Sequence, residues 1–167
     1  MSQRVVVIGA VALGPKAACR FKRLEPDSKV TMVDQSELIS YGGCGIPYFV
    51  SGDVSDASQL QSTSFHMVRD AKFFHSVKDI DVLINTRALS IDRNNQTVTV
   101  QNLLDRKEET LPYDQLVLGT GSRPKRLPIP GADLKGVFTV SNLNEAMAIK
   151  QGLSKGEVEK AVVIGAG

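Results

Sequence analysis

Short apolar runs rich in β-branched residues recur along the chain, separated by segments with helical spacing. Arg4–Ile8 is one such run and Gly9 follows it directly, which predicts a buried parallel strand ending in a tight turn. Gly14–Leu24 places apolar residues on one helical face with basic residues beside them, so it predicts an amphipathic helix. Lys29–Val33 is a second apolar run, and Asp34 closes it. Strand, turn, helix and strand together predict one βαβ unit.

The middle of the chain predicts further strands and helices. The predicted elements are a short helix at Val68–Phe74 and strands at Asp81–Ile84, Ala88–Ile91, Thr97–Val100 and Gln115–Leu118. Asn94–Asn95 separates two of these strands, as a hairpin turn does. Asn142–Gln151 predicts a helix that Ser141 or Asn142 caps and Gly152 closes. This order predicts an α/β fold with a parallel sheet and an inserted antiparallel β-meander.

The C-terminal segment repeats the pattern of the first strand. Ala161–Ile164 is an apolar run, and Gly165-Ala-Gly167 follows it as Gly9 follows the first run. We interpret this as a strand and the start of a second phosphate-binding turn, which makes the chain an N-terminal piece of a longer polypeptide. The alternative is an edge strand followed by a frayed tail.

The segment Gly9–Gly14, with the sequence GAVALG, fits the dinucleotide-binding pattern G-x-G-x-x-G with one departure. Val11 stands where the central glycine lets the backbone approach a pyrophosphate. The context supports the pattern, because a strand precedes it, a helix follows it, and Asp34 is placed to accept ribose hydroxyls. The pyrophosphate would lie at the helix N-terminus. The alternative is a turn that only needs glycine dihedrals.

Cys44 lies in the glycine-dense segment Ser40–Tyr48, with the sequence SYGGCGIPY. Small neighbours leave room around its sulfur, and a helix beginning just after it would favour the thiolate that disulfide exchange requires. No second cysteine stands at C-x-x-x-x-C spacing, so the sulfur would form a mixed disulfide, a persulfide or a sulfenic acid. The alternative is a buried structural cysteine, which is our prediction for Cys19.

Basic residues recur at i, i+4 and i+7 on the first helix and share one face, namely Lys16, Arg20 and Arg23. The face either binds phosphates or is simply solvated. His66 and His75 are the chain's only histidines, and we predict that each lies either at the surface or in a hydrogen bond with a neighbour, outside any recognised site.

Composition narrows the classes of protein without choosing one. The 167 residues carry 20 Lys and Arg against 18 Asp and Glu, a net charge of +2 that argues for neither a nucleic-acid partner nor a membrane partner. No apolar run approaches the length of a transmembrane helix, and the first residues lack the features of an export signal. Two cysteines are too few for a secreted disulfide scaffold, so we expect a reducing cytoplasm.

Four stretches together carry a family resemblance, namely VVVIGAVALG, SYGGCGIPY, LVLGTGSRP and VVIGAG. With them the chain resembles the N-terminal FAD-binding part of the pyridine nucleotide-disulfide oxidoreductases. It is most similar to the single-cysteine branch of coenzyme A-disulfide reductases, persulfide reductases, NADH oxidases and peroxidases. The resemblance implies a Rossmann-like FAD-binding domain over 1–150 and the start of an NAD(P)H-binding domain over 151–167, in a homodimer. It leaves open whether the nicotinamide cofactor is NADH or NADPH.

The resemblance also implies site residues. Cys44 is the expected catalytic residue. The expected FAD site comprises Gly9, Ala10, Val11, Ala12, Gly14, Asp34, Gln35, Ala88, Gly119, Thr120 and Gly121. The expected coenzyme A site comprises Lys16, Arg20, Arg23, Ser40 and Gly43, of which Gly43 offers no side chain. We assign no metal ligands.

The resemblance favours sulfur substrates over oxygen species. NADH oxidases and peroxidases typically carry a histidine at the place of Ala12, and alanine cannot replace it in acid–base chemistry. We therefore expect a coenzyme A disulfide, persulfide or polysulfide as substrate. The alternative is an NADH oxidase or peroxidase that cycles Cys44 through sulfenic acid. Flavin-dependent electron-transfer reductases form a different class, and the SYGGCGIPY segment argues against it.

Overall fold

The computed structural model describes residues 2–165. Its strands are β1 (Arg4–Ile8), β2 (Lys29–Val33), β3 (Asp81–Leu83), β4 (Thr86–Asp92), β5 (Thr97–Asn102), β6 (Glu108–Pro112) and β7 (Gln115–Leu118). Its helices are α1 (Leu13–Leu24), α2 (Ile46–Ser51), α3 (Ser58–Gln61), α4 (Ala71–Lys78) and α5 (Leu143–Ser154), with a 3₁₀ turn over Gly43–Gly45. These elements form two compact units, described separately below.

The first unit, which covers residues 2–42 and 58–122, is built on a four-stranded parallel sheet. The strand order is β3-β2-β1-β7, and helix α1 joins β1 to β2. Val6 of β1 lies opposite Thr31 on one side and Leu116 on the other. The predicted βαβ unit and parallel sheet are confirmed, and β1, β2 and β7 match their predicted bounds residue for residue.

Strand β1 is buried on both faces, which explains its uninterrupted apolar run. Val5 and Val7 join a core formed with helices α1 and α4, where Ala18 and Phe74 are buried. Val6 and Ile8 join a second core on the opposite face of the sheet. That second core also contains the buried residues Val33, Val98, Val100 and Tyr113. The parallel sheet is therefore the middle layer of the unit.

The antiparallel sheet β4-β5-β6 is the predicted meander. The predicted turn at Asn94–Asn95 is confirmed, since both backbone N–H groups donate to Asp92 Oδ1 at 2.9 and 3.0 Å. Strand β6 was not predicted, because its sequence EETLP lacks an apolar alternation. It forms by pairing with β5, with Thr110 opposite Thr99.

Two predicted helices have other limits in the structure. The helix predicted at Val68–Phe74 spans Ala71–Lys78. It begins later because Asp70 caps it by accepting a hydrogen bond from Phe73 N at 2.7 Å, while Val68 forms an isolated β-bridge with Ser62.

The helix predicted to close at Gly152 continues through it to Ser154. The left-handed conformation that ends a helix is adopted instead by Gly156, with φ +68°. The start of this helix was predicted correctly, since Asn142 accepts from Glu145 N at 3.0 Å.

The second unit covers residues 43–57 and 123–165 and contains α2 and α5. Lys150 of α5 donates to the carbonyls of Val54 and Ser55 at 2.9 and 3.0 Å and lies 4.0 Å from the ring centre of Phe49 in α2. These contacts hold the loop after α2 against α5. No helix within residues 2–165 is long and apolar enough to cross a membrane.

The strand predicted at Ala161–Ile164 is not formed. Val162 and Val163 are 87% and 85% exposed, and no described strand pairs with them. A parallel strand is stabilised by neighbours on which it buries its apolar side chains, and within residues 2–165 this segment has none. Ala166 and Gly167 of the predicted second glycine turn lie outside the described residues.

An ion pair joins the start of β1 to the residue before β7, and it generates a first prediction. Arg4 Nη2 and Nε donate to the Asp114 carboxylate at 2.7 and 3.2 Å, and Arg4 N donates to the same group at 2.7 Å. The side-chain hydrogen bond, then the backbone hydrogen bond, lower the pKa of Asp114 to about 2. The stabilisation is therefore complete above the carboxyl's ordinary pKa and is lost as pH falls towards 2.

We expect Asp114→Asn to lower the urea midpoint of unfolding at pH 7 and to leave it nearly unchanged at pH 2, because only the ionised carboxylate gains from Arg4. Asp27→Asn, on an exposed surface position, is the control. An equal midpoint for Asp114→Asn and the parent protein at pH 7 would contradict the prediction.

Candidate functional site

The carboxyl ends of three parallel strands meet at the turn Gly9–Gly14. Gly9 N donates to Val33 O of β2 at 2.8 Å, and Gly119 N, just after β7, donates to Ile8 O of β1 at 2.7 Å. Strand β1 lies between β2 and β7, so the chain order changes direction there. In open α/β sheets, ligands bind in the crevice outside the carboxyl ends of the strands at such a point.

Close backbone packing requires glycine at both ends of the turn. Gly9 has φ +104°, and a Cβ on it would lie against the Gly119 carbonyl, 2.7 Å from its carbon. A Cβ on Gly14 would collide with the carbonyl oxygen of Gly9 and lie 3.2 Å from Val7 Cγ1. The two glycines therefore allow α1, β1 and the residues after β7 to come into direct contact. Val11 lies in the middle of the turn, where glycine is not required.

The N-terminus of α1 is suited to an anion. Ala12 is its N-cap residue and provides no side-chain hydrogen bond, and no acidic residue lies in the first turn. The first N–H groups of a helix and its dipole favour negative charge, and neither the N-cap residue nor the first turn of α1 supplies a side chain that takes this role. A pyrophosphate fits this position.

Asp34 holds the glycine turn to the end of β2. Its Oδ2 accepts from Ala10 N at 2.7 Å, and its Oδ1 accepts from Ser36 N at 2.8 Å. A carboxylate has about four lone-pair sites, so each oxygen can still accept a hydrogen bond from a ribose hydroxyl. The two hydrogen bonds from backbone N–H groups orient the Asp34 carboxylate before a ligand binds.

The other residues predicted for the cofactor lie on the same unit. Thr86 N, at the start of β4, donates to Asp34 O at 2.9 Å, which brings the strand bearing Ala88 beside the end of β2. Ala88 is half-buried against the second core, and the exposed Gln35 accepts from Arg87 Nε at 3.3 Å. Thr120 is exposed, and Gly121 has φ +68° with open space around it.

Ser40, predicted to bind substrate, touches the glycine turn. Its N–H donates to Ala10 O at 2.7 Å, so the peptide units of Ala10 contact both Asp34 and Ser40. Ser40 is buried and has φ +52°. The sequence pattern did not indicate this contact, because it joins residues thirty positions apart.

The basic face of α1 is exposed as predicted. Lys16, Arg20 and Arg23 form no ion pair with any residue of the described chain. Lys22, which neighbours them in sequence, is engaged instead, with its Nζ 2.6 Å from Asp79 Oδ2. This pairing lowers the pKa of Asp79 through the hydrogen bond and the charge of Lys22. The face is thus available to an anionic ligand.

Cys44 is exposed in the 3₁₀ turn Gly43–Gly45, and helix α2 begins two residues later at Ile46. The helix expected after the cysteine is therefore present. A Cβ on Gly43 would meet nothing within 4 Å, so the backbone beside the cysteine is open. The exposure of Cys44 contradicts the alternative that it is a buried structural cysteine.

Cys19 is half-buried on α1 and packs beside the first core, as predicted. Burial raises the pKa of its thiol, against weaker opposing effects of Lys78 and Arg23. His66 and His75 are exposed, as predicted, and His75 Nδ1 lies 3.1 Å from Asp81 Oδ1. No cluster of three or more His, Cys, Asp or Glu side chains that could hold a metal ion occurs within residues 2–165.

A parallel βαβ unit, a tight glycine turn and an acidic residue at the end of the second strand are together typical of the dinucleotide-binding class of α/β proteins. The family model of the pyridine nucleotide-disulphide oxidoreductases matches residues 3–167, and the chain belongs to this family.

The chain resembles relatives that are named for different activities. A coenzyme A disulfide reductase of Staphylococcus haemolyticus is 31% identical over 99% of this chain and 36% of its own length. An NADH oxidase of Methanocaldococcus jannaschii is 30% identical over 98% of this chain and 35% of its own length. The solved structure of an NAD-dependent persulfide reductase from A. fulgidus is 40% identical, with a TM-score of 0.88, over 92% of this chain and 28% of that one. The chain thus spans about a third of the length of these relatives.

The contact at Gly14 generates a second prediction. We expect Gly14→Ala to destabilise the protein by about 1–3 kcal/mol, because the added methyl group meets backbone atoms that cannot move independently. The measurement is the free energy of unfolding in urea.

Gly152→Ala is the matched control, because Gly152 lies inside α5 and its Cβ would meet Val158 at an ordinary 3.6 Å. This change should be neutral or stabilise the helix. Equal stabilities of the two variants would show that the turn does not need glycine at position 14.

Proposed function

We propose that this protein is an FAD-dependent NAD(P)H oxidoreductase that reduces coenzyme A disulfide, persulfide or polysulfide substrates through Cys44. The observation that carries the proposal is a single exposed cysteine in a glycine-flanked turn at the start of a helix. The names of two relatives, a coenzyme A disulfide reductase and a persulfide reductase, support the substrate class.

FAD is the proposed ligand of the first unit. Its pyrophosphate would lie at the uncapped N-terminus of α1, beside Gly9–Gly14, and its ribose would reach Asp34. Asp34 suits a ribose with a free 2′-hydroxyl, because a carboxylate accepts a hydrogen bond from that hydroxyl and would repel a phosphate there. We assign the FAD domain to 1–150 and the start of the NAD(P)H domain to 151–167.

The remaining residues proposed to contact FAD are those predicted from the sequence. Gly119, Thr120 and Gly121 follow β7, whose end lies against the glycine turn, and Gln35 follows Asp34 in the chain. These residues are supported by their location at the carboxyl edge of the parallel sheet. Ala88 is supported by its place on β4, whose first residue Thr86 donates to Asp34 O.

Cys44 is the proposed nucleophile. Its thiolate attacks one sulfur of the substrate, the substrate S–S bond breaks, and one thiolate leaves while the other sulfur stays bound to Cys44. Two electrons then break the new S–S bond, release the second product and restore the Cys44 thiolate. FAD, reduced by NADH or NADPH, supplies that pair of electrons when bound.

The basic face of α1 is the proposed site for the phosphates of coenzyme A. Lys16, Arg20 and Arg23 are exposed and form no ion pair with other described residues, so binding a phosphate would not require breaking one. Ser40 and Gly43 are the proposed contacts nearer the cysteine. Gly43 can contribute only its backbone.

A second candidate is an NADH oxidase or peroxidase in which Cys44 passes through sulfenic acid. The exposure of Cys44 and the likeness to an archaeal NADH oxidase favour it. Ala12 argues against it, because a methyl group cannot donate a proton to a departing hydroxide.

The resemblance also supports a homodimer in the cytoplasm that acts on a small molecule, and it suggests neither a nucleic-acid nor a membrane partner. Both cysteines are free thiols, as a reducing compartment maintains them. Light scattering of the full-length protein tests the dimer.

The third prediction concerns the nucleophile. We expect Cys44→Ser in the full-length protein to retain FAD and its reduction by NADH, and to lose disulfide and persulfide reduction by at least roughly a hundredfold. A serine hydroxyl does not ionise near neutral pH and cannot exchange sulfur. The measurement is NADH-dependent turnover of coenzyme A disulfide, coenzyme A persulfide and peroxide.

Cys19→Ser is the matched control and should change turnover little, because Cys19 only packs beside the core. Near-normal disulfide turnover by Cys44→Ser would refute the mechanism. Peroxide as much the best substrate of the unmodified enzyme would favour the second candidate. A protein that contains no FAD and takes none up would refute the cofactor.

The fourth prediction concerns the basic face. We expect Arg20→Ala to raise the KM for coenzyme A disulfide by roughly tenfold, the worth of one charge-assisted hydrogen bond, with kcat unchanged. The KM for a small disulfide without phosphates should not change.

Lys72→Ala removes a charge from a different exposed helix, α4, and serves as the control. An equal rise in KM for both disulfides, or none for either, would show that Arg20 does not contact the phosphates.

A further inference from the structure

Ser40 holds an unusual backbone conformation in a buried position. It is 5% exposed and has φ +52°, in the left-handed region that favours glycine. A serine stays in this region only where surrounding contacts determine it, and such residues cluster at functional sites. The side-chain hydroxyl of Ser40 forms no hydrogen bond with other residues of the described chain. It is therefore available to a ligand.

Hydrogen bonds on two sides hold the segment 39–42, here called the Ser40 segment. Ser40 N donates to Ala10 O at 2.7 Å on the side of the glycine turn. On the other side, Gln61 Nε2 donates to Ile39 O at 2.9 Å, and Gly42 N donates to Leu60 O at 2.9 Å. The segment is thus held between the predicted cofactor site and helix α3.

The backbone of Gln61 is held by Arg69. Gln61 is 7% exposed, and its backbone carbonyl oxygen accepts from Arg69 N at 3.0 Å and from Arg69 Nε at 2.9 Å. The β-bridge between Ser62 and Val68 brings Arg69 back beside the end of α3. Arg69 thus fixes the backbone at Gln61, from which the buried side chain extends to donate to Ile39 O.

We propose that Gln61 is a positioning residue for the substrate site. Its side-chain amide holds Ile39 O, keeps Ser40 in the left-handed conformation and thereby directs the Ser40 hydroxyl to the coenzyme A substrate. This inference rests on the proposed function, because the role of Ser40 in substrate binding belongs to it. Gln61 touches neither substrate nor cofactor in this scheme and acts only through Ser40.

The experiment uses the full-length protein with Gln61→Met, which keeps the length of the side chain and removes the donor. Arg69→Lys is a second variant, which removes the guanidinium bond to the backbone carbonyl of Gln61 and keeps the side-chain amide that donates to Ile39 O. Gln59→Met is the matched control, because Gln59 is exposed and lies two residues away on the same helix. Ser40→Ala, alone and combined with Gln61→Met, tests whether the two residues act together.

The first readout is amide hydrogen exchange of Ser40 and Gly42, which needs neither substrate nor turnover. We expect Gln61→Met to accelerate both by roughly tenfold or more, Arg69→Lys to accelerate them less, and Gln59→Met to leave them unchanged. FAD content should be equal in all variants. Unchanged exchange in Gln61→Met and in Arg69→Lys would overturn the proposal.

The second readout is the KM for coenzyme A disulfide. We expect Gln61→Met to raise it with little change in kcat, and the double variant to show no larger rise than Ser40→Ala alone, since both changes affect one contact. Additive effects, or an unchanged KM, would overturn the role in substrate binding. If the unmodified protein does not reduce coenzyme A disulfide, the proposed function fails and that role fails with it, while hydrogen exchange still decides whether Gln61 holds the segment.

Discussion

The close approach of backbone to backbone at Gly9, Gly14 and Gly119 is the constraint on which the first unit depends. A Cβ at either of the first two would occupy the space of a carbonyl group, so no other residue permits the ends of β1 and β7 and the start of α1 to meet. Because α1 is held there, its uncapped N-terminus lies at the edge of the sheet where the strand order reverses. The anion site follows from the packing.

Ala10 connects this turn to Asp34 and to Ser40. Its N–H donates to the carboxylate of Asp34 and its carbonyl accepts from Ser40 N, at 2.7 Å in both cases. The peptide groups of one small residue thus orient the group predicted to bind ribose and the residue predicted to bind substrate. A change that displaces the turn is expected to affect cofactor and substrate together, whereas a change at Gln61 affects the Ser40 segment alone.

The parts of the fold that follow from burial could be predicted from the sequence. Strands β1 and β2 are continuous apolar runs because both faces of the sheet are covered, and such runs have clear ends. Strand β6 could not be predicted, since its polar residues pair with β5 through backbone hydrogen bonds and bury little. Ala161–Ile164 has the sequence of a strand but no described neighbour to pair with, so its local preference for extended backbone does not produce a strand.

Some residues of the candidate site could likewise be predicted from the sequence, and others could not. Asp34 could be singled out because an acidic residue at the end of the second strand has a known use, and Lys16, Arg20 and Arg23 because helical spacing places them on one face. Gln61 lies in the polar run Ser-Gln-Leu-Gln-Ser, which is typical of a surface segment. Its burial and its bond to Ile39 depend on contacts across 22 positions, which no local pattern indicates.

The chemistry of the leaving group connects Ala12 with the proposed substrates. When a thiolate attacks a disulfide or persulfide, the departing sulfur leaves as a thiolate, which is stable near neutral pH and needs no proton at that moment. When a thiolate attacks a peroxide, the departing oxygen is a strong base and benefits from a nearby acid. Neither histidine of the chain lies in Gly9–Gly14 or in Ser40–Tyr48. A turn that offers only a methyl group at position 12 is therefore suited to sulfur exchange, where a general acid would add little.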